Sequence, residues 1–406
     1  QLRLNIFVLF LAFPSFSVIG NSITFYIFID LILRLGSKVK TSFKGKTLFF
    51  LFFAIGLISS IFTPVSDRHP GFLFSVIILI QFLYWISEAS FFIKNYNRIN
   101  INELSKWIFI GTILYLFVFF VLPINFKSIF LSIEFNPGRN ALVFNLLCTI
   151  PLSMYYIYNR WKKKGVITAI IFFTFTMLMT GGRSGSIILL IQSFLIIGII
   201  NQKLQRFFRY ILIILVLIFG VLQTESAQKS LVVFSYTVDN LNPRLGQLLR
   251  STDEGALNTD KSWMQRKLLI EKGIEIFKKH PIIGVGPNLF RYYDADLIGF
   301  TKFEYLQGRS RELYNQRSAH NSYIQVLSEY GIIGLIIFLL IILRPLMLFG
   351  KYFFKAKLVL EHLIFVSLIG ISIHFYVISA FTGAIPWLIF GLSWAIVNEN
   401  SKRKIL

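Results

Sequence analysis

The sequence predicts an all-α membrane protein that crosses the bilayer about twelve times, and three observations support this fold class. Hydrophobic residues make up 55% of the 406-residue chain and charged residues only 15%, whereas soluble domains carry about 25% charged residues. Apolar runs recur along nearly the whole chain, and basic residues concentrate in every second loop between them. Because so few charges cannot cover a water-facing surface, we expect most of the surface to face lipid.

Membrane spans are placed where roughly 15 to 22 consecutive residues are apolar and nearly free of charge, since that length crosses a bilayer as a helix. The first apolar run is interpreted as a span and not as a cleavable signal peptide, because more membrane sequence follows it. The predicted spans are Leu4–Ile19, Ser22–Leu35, Thr47–Pro64, Phe72–Phe92, Ile108–Leu122, Ala141–Tyr158, Val166–Thr180, Ser186–Ile200, Tyr210–Leu222, Tyr323–Leu343, Leu358–Phe381 and Trp387–Val397.

The basic residues test this placement independently. One set of alternate loops and the C-terminal tail carry most of the lysines and arginines, at 34–46, 94–106, 160–164, 203–209, 344–357 and 402–404. The intervening short loops hold only Arg68, Lys127, Arg139 and Arg183. Cytoplasmic loops carry the excess of positive charge in membrane proteins, so both termini are predicted to be cytoplasmic.

The net charge of +22 has two uses in a membrane protein. It retains loops on the cytoplasmic side, and it attracts anionic lipids or phosphate groups. Nucleic acid is not an expected partner, because the basic residues lie in short loops between apolar spans. Cys148 is the only cysteine, which excludes an intrachain disulfide and a cysteine metal cluster.

One polar segment, from Gln223 to Asn321, is too long and too charged to be a span and lies on the outer side of the predicted topology. The chain therefore divides into membrane helices one to nine at 1–222, a large outer loop at 223–322, and the last three membrane helices with a cytoplasmic tail at 323–406. Long connections of this kind are usually functional, so we expect the chemistry here.

The outer segment contains a predicted amphipathic helix, Trp263–Lys279. Its expected apolar stripe consists of Trp263, Ile270, Ile274 and Phe277. Arg266 projects about 60° from Trp263 at 3.6 residues per turn, and so falls within the apolar arc. A cation there needs either an anionic partner or a route to water.

Three further features of the sequence have both a functional and a structural interpretation. Gly284 and Gly286 could present amide groups to a phosphate, although a Gly-x-Gly is more often simply a turn. Arg183 is held at a membrane edge among small residues, where it either binds a ligand or contacts headgroups. His320 sits at the mouth of a span, where it is either catalytic or structural. A cluster of three arginines precedes it, Arg309, Arg311 and Arg317.

These residues together resemble the motifs of the bacterial O-antigen ligase and polymerase superfamily. His320-Asn321, nine residues and then Gly331-Ile-Ile-Gly334 is similar to the histidine motif of the ligases, which many polymerases share in looser form. Arg183 resembles the family's arginine before a membrane span, although Ile187 stands where the ligase pattern has leucine. Arg266, followed by a proline-glycine turn, resembles the second arginine of the family. The motifs cover about the second half of the chain.

The resemblance implies a GT-C-like glycosyltransferase of the bacterial inner membrane, with its active site facing the periplasm. The donor would be an undecaprenyl-pyrophosphate-linked glycan. Arg183 and Arg266 would bind the pyrophosphate, and His320 would accept the proton of the acceptor hydroxyl. The expected substrate-binding helpers are Arg309, Arg311, Arg317 and Asn321. Neither a metal nor another cofactor is expected, since Asp294 and Asp296 are interpreted as part of a solvated loop.

The sequence leaves three functions open. A polymerase, which adds the glycan to a lipid-linked repeat unit, is favoured because the ligase-type arginine pattern is imperfect. A ligase, which transfers the polymer to lipid A core, is the alternative. A lipid-linked glycan flippase also has about twelve spans, but its substrate groups usually lie at the membrane midplane. Membrane lipids and a chain-length regulator are further candidate partners.

Overall fold

The described helices confirm that the protein is mainly α-helical. A computed structural model describes residues 16–18, 23–24, 46–62, 79, 100–121, 125–127, 131–134, 139–180, 182–201, 233, 236, 261–293, 318–352 and 360–403. Within these ranges the long helices are α1 (Lys46–Ile61), α2 (Ile101–Val121), α3 (Arg139–Met179), α4 (Arg183–Ile200), α5 (Lys261–Lys279), α6 (Ser322–Tyr352), α7 (Leu360–His374) and α8 (Ala384–Arg403), and a 3-10 turn spans Phe290–Tyr292.

The apolar helices identify an integral membrane protein. Ile101–Val121, Asn140–Met179 and Ser322–Phe349 are long and apolar enough to cross a bilayer, and shorter apolar helices occur at Thr47–Ile61, Ser184–Ile200, Glu361–His374 and Ile385–Asn398. Eight predicted spans coincide with α1–α4 and α6–α8, because α3 contains two of them. Phe72–Phe92 lies outside the described residues except for Leu79, and Tyr210–Leu222 lies wholly outside. The total of twelve therefore stays a prediction.

Four short strands occur among the described residues, and two of them replace helix at the adjoining ends of the first two predicted spans. The rest of Leu4–Ile19 and Ser22–Leu35 lies outside the described residues. β1 (Phe16–Val18) and β2 (Ile23–Thr24) lie where Leu4–Ile19 and Ser22–Leu35 were expected to be helical. With β3 (Asn125–Lys127) and β4 (Leu131–Glu134) they form an antiparallel sheet in the order β2-β1-β4-β3, with Ser17 opposite both Thr24 and Ser132. An apolar run alone does not distinguish a strand from a helix, and a non-local partner strand decided the outcome here. The sheet joins two segments that the predicted topology places on one side.

The basic stretch at 160–164, predicted as a loop, is a single break inside α3. Lys162 has φ 56° and ψ −153°, which interrupts the helical backbone between the two predicted spans. The two spans thus follow each other with almost no linker. The break lies within the basic stretch at which the charge pattern predicts a membrane boundary.

A second break, in α6, fixes the position of the loop that follows α5. Gly331 has φ 67° and ψ −168°, so the helix is interrupted after its first nine residues. Carbonyls freed by the break accept hydrogen bonds from the loop after α5: Val285 N donates to Ser328 O at 3.0 Å and Gly286 N donates to Glu329 O at 2.9 Å. In the opposite direction, Ile332 N donates to Pro281 O at 2.9 Å. A broken membrane helix needs such partners, since lipid supplies none.

Two glycines make this docking possible. A Cβ on Gly331 would collide with the backbone of Ile282, and a Cβ on Gly284, whose φ is 70°, would collide with the backbone of Glu329. Only glycine adopts such positive φ values without a steric penalty. The proline-glycine turn and the glycine after the histidine motif are therefore two sides of one backbone contact.

Buried side chains fix the break to the surrounding helices. Glu329 is fully buried, and its Oε1 accepts from Phe290 N at 3.3 Å and from Gln325 Nε2 at 2.9 Å. Ser59 of α1 donates to the Glu329 carbonyl at 3.1 Å. The Tyr330 ring stacks on Phe52, also of α1, with centroids 4.5 Å apart.

Polar contacts also join α3, α4 and α7 within the apolar core. Gln192 Nε2 of α4 donates to Leu147 O at 2.9 Å and to Val366 O at 3.1 Å. Ser367 Oγ of α7 donates to the carbonyl of the buried Cys148 at 2.9 Å. These bonds fix the register of three helices, for which apolar packing alone is less directional.

Substituting Gly331 with alanine should destabilise the protein by about 2–4 kcal/mol, through the left-handed backbone and the clash with Ile282. Thermal unfolding of the purified protein in nanodiscs, followed by tryptophan fluorescence, measures the effect. Gly383→Ala is the matched control, because its Cβ would have no contact closer than 3.3 Å. Equal unfolding midpoints for the two variants would show that α6 does not need this break.

Candidate active site

The predicted site residues flank helix ends. Arg183 is the first residue of α4, Arg266 lies in the second turn of α5, and His320 and Asn321 directly precede α6. Arg309, Arg311 and Arg317 lie outside the described residues, as do Asp294 and Asp296. We use "site end" for the end of the bundle at which α3, α4 and α6 begin and α7 ends.

His320 has an uncommon backbone conformation. Its φ is 51°, a left-handed value that histidine tolerates better than most residues but that still costs of order 1 kcal/mol. The ring is half-buried, whereas the neighbouring Ala319 and Asn321 are 0% and 3% exposed. The turn therefore holds His320 at the surface of the site end between two anchored residues.

Asn321 caps α6. Its Oδ1 accepts hydrogen bonds from Tyr323 N at 3.0 Å and Ile324 N at 3.1 Å. These are two of the amides that a helix leaves without intrahelical partners. The asparagine of the motif therefore has a structural role, and its expected contact with substrate stays a prediction.

The start of α6 is bound to the end of α7. Ser322 N donates to Phe375 O at 2.7 Å, and Ser322 Oγ donates to Ile378 O at 2.6 Å. Tyr323 OH donates to Ser372 O at 2.8 Å. Because α7 stops at His374, seven residues before the predicted end of its span, the chain that follows is available for these bonds.

The amphipathic helix forms as α5, but its predicted apolar stripe is wrong. The buried face consists of Leu268, Leu269, Lys272 and Ile276, whereas Ile274 is 39% exposed. The sequence misleads because a lysine occupies the centre of the buried face, where its ammonium lies 5.0 Å from the centroid of the Phe290 ring. A lysine stem buries well when its charge has such a contact.

Close packing of α5 on α6 places Arg266. A Cβ on Gly273 would collide with Ile324 in the first turn of α6. Arg266 is seven residues before Gly273, on the same side of α5, and is half-buried. Its charge acts on His374, the last residue of α7.

Arg183 belongs to the same end of the bundle. The flanking Gly182 and Gly185 pack closely on Val143 in the first turns of α3. The next residue, Phe144, stacks on the rings of His374 and Phe375, with centroids 5.8 and 5.9 Å apart. Through α3 and α7 the structure thus joins the start of α4 to the residues around Arg266 and His320.

The glycine-rich turn is structural. The amides of Val285 and Gly286 donate to carbonyls of α6, so they are not available to a phosphate. His280, which precedes the turn, packs against Tyr293 with ring centroids 5.9 Å apart. Burial, together with the neighbouring Lys279, lowers the pKa of His280 from its usual range.

No group of three or more histidine, cysteine, aspartate or glutamate side chains that could hold a metal ion occurs among the residues that the structure describes.

A protein-family model matches the part of the chain that contains the predicted site residues. Residues 167–339 match the family model described as O-Antigen ligase. This match supports the resemblance to the O-antigen ligase and polymerase superfamily. The matched region contains Arg183, Arg266, His320, the outer segment and the break in α6. A search of the curated proteins found no match.

The family match supports a broad statement about function. It supports an integral membrane enzyme of glycosyl transfer, acting on lipid-linked polysaccharide, for the chain that contains the domain. His374 lies outside the matched residues and is not among the predicted site residues. The sequence feature that could have identified His374 is its position as an ionisable residue near the end of an apolar span.

Replacing Asn321 with alanine should cost about 1 kcal/mol of stability, the usual value of a lost helix cap. Asn321→Asp retains the accepting oxygen and should unfold at the wild-type midpoint. Thermal unfolding and transferase activity are measured together on both variants. A normal midpoint with lost activity in Asn321→Asp would indicate that the amide contacts substrate, whereas a wild-type midpoint in Asn321→Ala would argue against the cap.

Proposed function

We propose that the protein polymerises a surface glycan by transferring an undecaprenyl-pyrophosphate-linked chain to the hydroxyl of a lipid-linked repeat unit. The observation that carries the proposal is the gathering of Arg266, the start of α4 and the histidine motif at one end of a membrane bundle whose sequence matches the O-antigen ligase domain. The site end would face the periplasm of the inner membrane, with both termini in the cytoplasm.

The leaving group determines what the site needs. When the anomeric bond breaks, negative charge grows on the bridging oxygen of the lipid pyrophosphate. Arginine remains charged at any working pH and can grip phosphate with two parallel hydrogen bonds. Arg183 and Arg266 would therefore stabilise the charge on the departing pyrophosphate. Electrostatic stabilisation of this kind is the largest catalytic effect in many enzymes. In addition, the N-cap residue of α4 is Gly182, which provides no side-chain cap, so the positive end of the helix favours an anion.

His320 would act on the acceptor. Its unprotonated ring nitrogen takes the proton of the acceptor hydroxyl as that oxygen attacks the anomeric carbon. The carbon–oxygen bond to pyrophosphate breaks on the opposite face, which inverts the configuration and releases undecaprenyl pyrophosphate. The proton then leaves His320 for solvent. Asn321, Arg309, Arg311 and Arg317 are proposed to assist substrate binding.

Metal-independent catalysis is part of the proposal. The two arginines supply the fixed positive charge that a divalent cation supplies in other transferases of lipid-linked sugars. Full activity in EDTA is therefore expected. Loss of activity that Mn²⁺ or Mg²⁺ restores would contradict this part of the mechanism.

Ligation to lipid A core is the second candidate function. It is favoured by the description of the matching family as O-Antigen ligase, whereas Ile187 in place of leucine favours the polymerase. Both reactions use the same donor and the same site, and they differ in the acceptor. A chain-length regulator is a proposed partner only for the polymerase.

Deleting the gene should leave lipid A core that carries a single repeat unit, without the ladder of longer chains on a lipopolysaccharide gel. Complementation with wild type should restore the ladder and His320→Ala should not, with a loss of about 10²–10⁴-fold in turnover of the purified enzyme. His280→Ala is the matched control, a half-buried histidine outside the proposed machinery.

Two other gel patterns would redirect the assignment. Core without any O-antigen, together with polymer on undecaprenyl pyrophosphate, would identify a ligase. An unchanged gel would exclude O-antigen as the product. Wild-type turnover in purified His320→Ala would contradict the proposed role of the base.

A further inference from the structure

His374 has unused hydrogen-bonding capacity at the site end. The residue is 3% exposed, and neither ring nitrogen has a hydrogen-bond partner among the residues that the structure describes. Among the described residues it is the one side chain in which two such buried atoms lack a partner. Leaving a buried polar atom unsatisfied is costly, so each case in a native protein calls for an explanation.

The surroundings of His374 are shared with the proposed active site. Arg266 is close enough for its charge to act on the ring. The next residue, Phe375, accepts the hydrogen bond from Ser322, two residues after His320. The ring also stacks on Phe144 of α3, beside Val143, which packs against the start of α4. His374 is thus close to Arg266 and is linked to His320 and to the start of α4 through neighbouring residues.

The missing partners define the chemistry of a ligand. A neutral imidazole has one N–H donor and one acceptor nitrogen, so it needs one acceptor and one donor in return. A bare phosphate offers mainly acceptors, and an apolar lipid chain offers neither. A sugar phosphate offers both, through its phosphate oxygens and its ring hydroxyls.

We propose that His374 is a donor-binding residue of this site: one ring nitrogen donates to a phosphate oxygen beside Arg266, and the other accepts from a hydroxyl of the sugar attached to that phosphate. This inference rests on the proposed function, and it adds a residue that binds the sugar of the donor as well as its phosphate. Access to the ring requires a neighbouring side chain to move. Arg266 is a long, half-buried side chain whose charge acts on the ring, and it would follow the anion.

The test compares His374→Phe with wild type in nanodiscs. Phenylalanine keeps the stack on Phe144 and removes both nitrogens, so the unfolding midpoint should be equal or higher. The affinity for the lipid-linked repeat unit isolated from the native host should fall about 10- to 100-fold, as expected for two lost hydrogen bonds. For undecaprenyl pyrophosphate without sugar the fall should be about 3- to 10-fold, since one bond is lost.

Two further variants separate this role from a structural one. His374→Gln keeps one donor and one acceptor and should recover part of the affinity. His362→Phe replaces another buried histidine of the same helix, about 18 Å away at 1.5 Å per residue, and should bind both lipids as wild type does. In turnover assays the His374→Phe defect should appear mainly in KM.

The outcomes distinguish the two proposals. Equal affinities of wild type and His374→Phe for both lipids would overturn the role of His374 and leave the proposed function standing. A wild-type protein that binds neither lipid and transfers no glycan would overturn both.

Discussion

The site depends on one constraint: a membrane helix that is broken must satisfy its freed backbone groups from within the protein. In α6 the break at Gly331 is filled by the loop 281–286, whose amides and carbonyls take the place of the missing helical bonds. The loop therefore cannot move independently of α6. Since α5 leads directly into this loop, α5 is fixed to the membrane domain through these backbone bonds, in addition to side-chain contacts such as that of Glu329 with Phe290 N.

The docking of this loop on α6 also determines where Arg266 lies. With its C-terminal end held by the loop, α5 lies across the start of α6 and contacts Ile324 through Gly273. Arg266, two turns earlier, is then brought to the end of α7. The histidine motif supplies the other part of the same arrangement, because Asn321 caps α6 and leaves His320 in a tight turn beside it. Backbone geometry thus sets the positions of the residues proposed to carry the chemistry.

Features set by local composition could be predicted from the sequence, and features set by non-local contacts could not. A helix that crosses lipid needs a long apolar run, so the length of such runs predicts membrane helices. Eight spans, and the separation of two of them at Lys162, could therefore be predicted. The buried face of α5 was not, because burial of Lys272 depends on the Phe290 ring, and hydrophobicity alone excludes a lysine. The strand at Phe16–Val18 likewise required a partner more than a hundred residues away. Gly331 was identified as part of the histidine motif, whereas its positive φ allows a contact with a distant loop.

The buried polar groups differ along the bundle in a way that supports a site at one end. Toward the middle, the Gln192 amide nitrogen and the Ser367 hydroxyl donate to carbonyls of neighbouring helices, and so contribute to helix packing. At the site end, Ser322 and Asn321 are used in the same structural way. His374 is among these anchored residues, yet neither of its nitrogens has a hydrogen-bond partner in the part of the chain that the structure describes. Two such nitrogens on one buried ring give this position hydrogen-bonding capacity for a ligand, beside a cation suited to phosphate.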